Sequence, residues 1–88
     1  MNKKFKLTSG KEVTLLEMSV DDIDFCSDVT QIVFDKEGNQ IIKNMSAART
    51  AWIRKGVKAA NDTFIKSLSD TDKNELSLKV REYQELGE

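Results

Sequence analysis

The sequence predicts one small α+β domain spanning residues 1–88: two β-hairpins over about residues 3–16 and 31–43, a short helix between them, and two to three helices in the C-terminal half. Three observations lead there. Apolar and polar residues alternate at a period of two near the start. Two β-branched and aromatic runs bracket a stretch of turn residues at 35–39. From Ser46 onward, apolar residues recur at helical spacing behind residues that cap helices.

In the first hairpin Phe5, Leu7, Val13 and Leu15 are apolar while Lys4, Lys6, Glu12 and Thr14 are polar. Only an odd-numbered loop keeps both apolar sets on one face. A three-residue loop of Thr8-Ser9-Gly10 does so, with Gly10 left-handed, and sets Phe5 opposite Val13. Ser19 then reads as an N-cap with Asp21 and Asp22 in the first turn of a helix. That helix is expected to run about two turns and end before Thr30, with Val20, Ile23 and Phe25 supplying its apolar surface. Ile32-Val33-Phe34 and Ile41-Ile42 form the second hairpin around Asp35-Lys36-Glu37-Gly38-Asn39. Both of its faces carry apolar residues, so it is either covered on two sides or open to a partner.

Ser46 is expected to cap the longest helix, running to about Ala60, with Trp52, Ile53, Gly56, Val57 and Ala60 on one stripe. Arg54, Lys55 and Lys58 fall on the opposite side and Arg49 nearer the boundary. Asn61-Asp62-Thr63 interrupts and recaps a short helix with Phe64, Ile65 and Leu68. Ser69 caps the last helix, in which Leu76, Val80 and Tyr83 mark the buried stripe and Gly87 is placed to end it.

Composition narrows the function. The chain has one cysteine, Cys26, and no histidine. It therefore has no intrachain disulfide and no Cys/His zinc set to support a core of marginal size. Such domains often gain stability by burying a face against a protein partner or a second copy, so a protein partner is expected and a homo-oligomer is the other form. A membrane span needs ~20 apolar residues and no such run exists, so no membrane partner is expected. The basic opening lacks the apolar region of a signal peptide, and a lone cysteine suits a reducing compartment, so the expected location is cytoplasmic. The triplets Asn44-Met45-Ser46 and Asn61-Asp62-Thr63 then read as helix starts rather than glycosylation sites.

Without histidine, Ser/His/Asp and Cys/His catalysis are excluded. The four glycines are isolated, so no phosphate-cradling loop is present. Asp21 with Asp24, or Asp24 with Asp28, share a helical face that could meet a hard cation, but a solvated acidic face is the favoured reading. Cys26 between Asp24 and Asp28 reads as a buried structural thiol. The expectation is a non-enzyme with no cofactor and no metal.

The charges are sorted. From Glu12 to Asp35 there are seven carboxylates and no base; from Gly38 to Asn61 there are five bases and no acid. This arrangement serves docking and orientation. The candidate partner-binding residues are Arg49, Arg54, Lys55 and Lys58, with Trp52 as an interface anchor or a core residue. The first reading is that the two blocks face each other within the fold or across copies; docking on an acidic protein comes second. Nucleic acid comes third, because the net charge is −1 and no aromatic stacking platform is evident.

The stretch Lys4-Phe5-Lys6-Leu7-Thr8-Ser9-Gly10-Lys11-Glu12-Val13-Thr14-Leu15-Leu16-Glu17-Met18-Ser19-Val20-Asp21-Asp22 resembles the opening of small bacteriophage tail assembly chaperones and related baseplate-assembly proteins. Those families often begin with a hairpin in which Gly-Lys precedes an apolar strand, followed by Glu, then Met or Pro, then Ser or Thr, then Val-x-Asp entering a helix. The resemblance implies a non-enzymatic protein of the host cytoplasm that binds a phage structural protein during assembly, or stays in the virion as a minor subunit. The alternative function is a small regulator that binds nucleic acid, or a host nucleic-acid enzyme, through the basic helix over residues 46–60.

Overall fold

The computed structural model describes residues 3–86. Strands β1 (Lys3–Lys6) and β2 (Glu12–Leu15) pair antiparallel with Phe5 opposite Val13. The expected three-residue loop is present. Gly10 N–H donates to Leu7 O and Leu7 N–H to Lys11 O, both at 2.8 Å, and Gly10 takes a φ of 101°. This register buries Leu7, Val13 and Leu15. Glu75, far along the chain, accepts hydrogen bonds from Thr8 N–H at 3.1 Å and Thr8 Oγ1 at 2.9 Å.

Helix α1 (Val20–Val29) begins at Ser19, whose Oγ accepts from Asp22 N–H at 3.1 Å. It runs ten residues, longer than two turns, because no glycine or proline interrupts it. Its inward face also differs from expectation. Val20 and Phe25 are exposed, while Ile23 and the fully buried Cys26, one turn apart, face the core.

Strands β3 (Gln31–Phe34) and β4 (Gln40–Lys43) form the second hairpin, with Ile32 opposite Ile42 and Val33 opposite Ile41. Asp35 organises its turn: Oδ1 accepts from Asn39 N–H at 2.8 Å and Glu37 N–H at 2.9 Å. The two hairpins are separate two-stranded sheets, and this one packs almost wholly on itself. The radius of gyration, 14.0 Å, accordingly exceeds the ~12 Å of a compact chain of this length.

Helix α2 (Met45–Gly56) departs from the predicted bounds at both ends. Its N-cap is Asn44 in the left-handed conformation (φ 65°), making no side-chain cap bond, and Ser46 lies inside the helix. Asparagine tolerates that conformation better than other side chains with a Cβ, which lets the chain turn directly from β4 into the helix. The helix stops at Gly56 rather than Ala60 because Val57 turns extended and bridges to Leu15. Leu16 N–H donates to Gly56 O at 2.8 Å and Lys58 N–H to Thr14 O at 2.9 Å. A sheet edge thus competes successfully for the last helical turn.

Helix α3 (Asp62–Lys66) is capped by Asn61, whose Oδ1 accepts from Phe64 N–H at 2.9 Å. Both Asn triplets therefore lie at helix starts. Helix α4 (Asp70–Leu86), at 17 residues, is the longest helix, not α2. Ser69 Oγ accepts from Asp72 N–H at 3.1 Å, while Ser69 N–H faces Asp72 Oδ2 at 3.5 Å, a reciprocal cap that accounts for the buried Asp72. The predicted stop, Gly87, lies outside the described residues.

The core forms where α2 packs on α4 and α1 beneath the first hairpin, around Ile53, Leu76, Val80 and Cys26. Gly56 lets α2 approach α4 closely, since a Cβ there would collide with Val80 Cγ1. One amide ties α4 to the β2–α1 connection. Gln84 Oε1 accepts from Met18 N–H and its Nε2 donates to Leu16 O, both at 2.8 Å.

Candidate partner-binding surface

Of the five sequence-predicted residues, Arg49 and Trp52 share one groove, while Arg54, Lys55 and Lys58 lie outside it. Arg54 pairs with Asp62 (2.6 Å), and Lys55 pairs with Asp22 (3.6 Å) and lies over the Phe25 ring. The Lys55 pair joins the basic block to the acidic helix α1 of the same chain. Lys58 follows the helix end and lines a shallow hollow with Lys4, Glu12 and Phe64. Trp52 is 9% exposed, part of the core cluster, and Arg49 stands beside it.

The exposed apolar surface lies elsewhere. Alternation on the second hairpin puts Ile32, Phe34 and Ile42 on one face and Val33 and Ile41 on the other. Their exposures are 56%, 70% and 50% on the first face and 41% for Ile41 on the second. Among the described residues, both outer edges of this two-stranded sheet are unpaired. A lone hairpin is marginal in water, and an open apolar edge is a template for another chain.

Ile42 continues this surface into a groove of about 530 Å³ between α1, β4, α2 and α4. Helix α2 lines it with Met45, Ala48, Arg49 and Trp52, and helix α4 with Asn74, Ser77, Leu78 and Arg81. Each set follows the spacing i, i+3, i+4, i+7, one helical face. Met45 is 48% exposed and Leu78 54%. The Arg81 guanidinium lies over the Trp52 ring, 5.7 Å from its centroid. Arg49 and Arg81 are the charged residues of the lining, and among the described residues neither forms a salt bridge.

Leu78, Arg81 and Met45 were not singled out from the sequence, whereas Ile42 was read as part of the second hairpin. The available signal was the second amphipathic face that each helix carries beside its core stripe. Cys26 lies at the base of the groove; burial chiefly, and then Asp22, raise its thiol pKa against the opposing effect of Lys55, so the thiolate is disfavoured. Among the described residues no group of three or more acidic or Cys side chains is gathered to hold a metal.

No protein-family profile, curated protein sequence or solved structure matches the chain.

Proposed function

We propose that this chain is a non-enzymatic protein-binding module acting in phage tail or baseplate assembly, as a chaperone or as a minor virion subunit. The supporting observation is the β3–β4 ribbon, apolar on both faces, exposed, and open at both edges. An uncovered ribbon of this kind is stabilised by whatever chain it pairs with, so binding orders partner and module together. The resemblance of residues 4–22 to phage assembly proteins supplies the partner class. The action is shielding: the ribbon covers an apolar strand or patch of a structural protein until the neighbouring subunit displaces it.

Co-expression with phage tail and baseplate structural proteins tests the reading. A tagged wild-type chain recovers one structural protein, and Ile32→Ser with Phe34→Ser loses it while helical circular dichroism is kept. Failure to recover any structural protein, or equal recovery by the double variant, overturns it.

A further inference from the structure

We propose that the groove between α1, β4, α2 and α4 binds an apolar peptide segment of the partner that carries carboxylates, held by Arg49 and Arg81; this rests on the protein-binding function proposed above. Three features select that occupant. The first is the form of the two helix faces. Met45 and Leu78 stand half-exposed above a floor of Ala48 and Trp52, so apolar side chains of a ligand would be buried between them. The second is charge. The lining holds two guanidinium groups and no carboxylate, and among the described residues neither guanidinium forms a salt bridge. Glu85 shares a neighbouring hollow with Arg81 and Trp52 but forms no salt bridge with Arg81.

The third feature is the pose of Arg81. Its guanidinium lies over the Trp52 ring and, among the described residues, in no salt bridge, so its N–H donors suit a carboxylate in two-pronged fashion. Arg54 and Lys55 differ, since each already faces an aspartate of its own chain. A segment seated in the groove meets Ile42 at its β4 end, next to Ile32 on the exposed ribbon face. Groove and ribbon then form one continuous interface, in which the ribbon supplies area and the two arginines supply sign.

The test uses two fluorescein-labelled synthetic peptides of equal length, one of Leu, Phe and Glu, the other with Lys replacing Glu. Anisotropy gives affinity, and the emission of Trp52, the one tryptophan of the chain, reports occupancy of the groove. The Glu peptide binds and shifts Trp52 emission, and the Lys peptide binds at least about tenfold more weakly. Arg49→Glu with Arg81→Glu inverts that preference, and the neutral pair Arg49→Gln with Arg81→Gln abolishes it. Equal binding of both peptides, no binding of either, or an unchanged preference in the charge variants overturns the inference. Pull-down separates this from the broader function. If Ile32→Ser with Phe34→Ser loses the structural protein while Arg49→Glu with Arg81→Glu keeps it, the groove inference falls and the protein-binding function stands. If the wild type captures none, both fall.

Discussion

Replacing Gly56 by alanine sets helix propensity directly against packing. Gly56 is the last residue of α2, and on propensity alone alanine is favoured there by up to about 1 kcal/mol. The new Cβ, however, collides with Val80 Cγ1 and comes within 3.3 Å of both Val80 Cβ and Met18 Sδ. Val80 is fully buried and β-branched on a helix, so its χ1 has essentially one well and the methyl cannot swing aside. Relief requires α2 and α4 to separate, and overpacking of this kind costs about 1–3 kcal/mol. The net expectation is a loss of about 1–2 kcal/mol, with packing outweighing propensity. In urea a domain of this length loses about 1 kcal/mol per molar, so the midpoint followed by Trp52 fluorescence falls by about 1–2 M. Val80→Ala alone costs about 2 kcal/mol, and it also makes room for the new methyl. The double variant should therefore lose less than the sum of the singles, by about 1 kcal/mol. A Gly56→Ala midpoint at or above wild type, or strict additivity in the cycle, would refute the close-approach account.

Two further outcomes are expected. Gln84→Leu deprives Met18 N–H and Leu16 O of the amide that satisfies both, and should lower stability by about 1–3 kcal/mol in the same urea assay; an unchanged midpoint would show that water replaces the amide freely. The Asp35 carboxyl is held below its ordinary pKa, chiefly by the Asn39 backbone N–H, with burial opposing and the Asn39 amide and the Glu37 and Gly38 N–H groups adding. Because the folded value is the lower one, this stabilisation is present above the unfolded pKa and is lost as pH falls through the folded pKa. An NMR titration of the Asp35 carboxyl carbon should give a midpoint below that of the same residue in an unstructured peptide, and a midpoint at or above it contradicts the turn geometry.

What was legible in the sequence was what is decided locally. Period-two alternation and Gly10 give the register of the first hairpin, and Ser19, Asn61 and Ser69 cap their helices with their own side chains. The ends of α2 are decided otherwise. Asn44 enters the helix through a left-handed backbone with no side-chain cap, and Val57 leaves it for a bridge to Leu15, a strand residue remote in sequence. The first is hinted at only by asparagine's tolerance of a left-handed backbone, and the second has no local signature. Lys58 consequently drops off the predicted basic face, which had assumed four bases on one continuous helix. The groove was illegible for a related reason: Leu78 and Arg81 read as the solvated side of an amphipathic helix until the fold sets them beside Trp52 and Met45.

The sorted charges explain why five bases do not make one site. Part of each block is engaged within the fold: Lys55 faces Asp22, Arg54 faces Asp62 just beyond the basic block, and Asp35 closes a turn. What remains is asymmetric. Asp21, Asp24 and Asp28 are all exposed and, at i, i+3 and i+7, form a ridge along one face of α1. Arg49 and Arg81 stand apart from that ridge, in a groove lined by no acid. A chain with net charge −1 can therefore present a locally positive groove and a negative ridge on neighbouring surfaces. The two fields act together on an approaching carboxylate-bearing segment, since the ridge repels it and the groove attracts it, which fixes orientation as well as position. At physiological ionic strength such fields reach about 8 Å, so their effect falls on the final docking approach and weakens as salt is raised. Apolar burial on the ribbon carries no such salt dependence. Salt titration of the complex therefore separates the two contributions: added salt should slow association through the arginines and leave the part contributed by Ile32 and Phe34 intact.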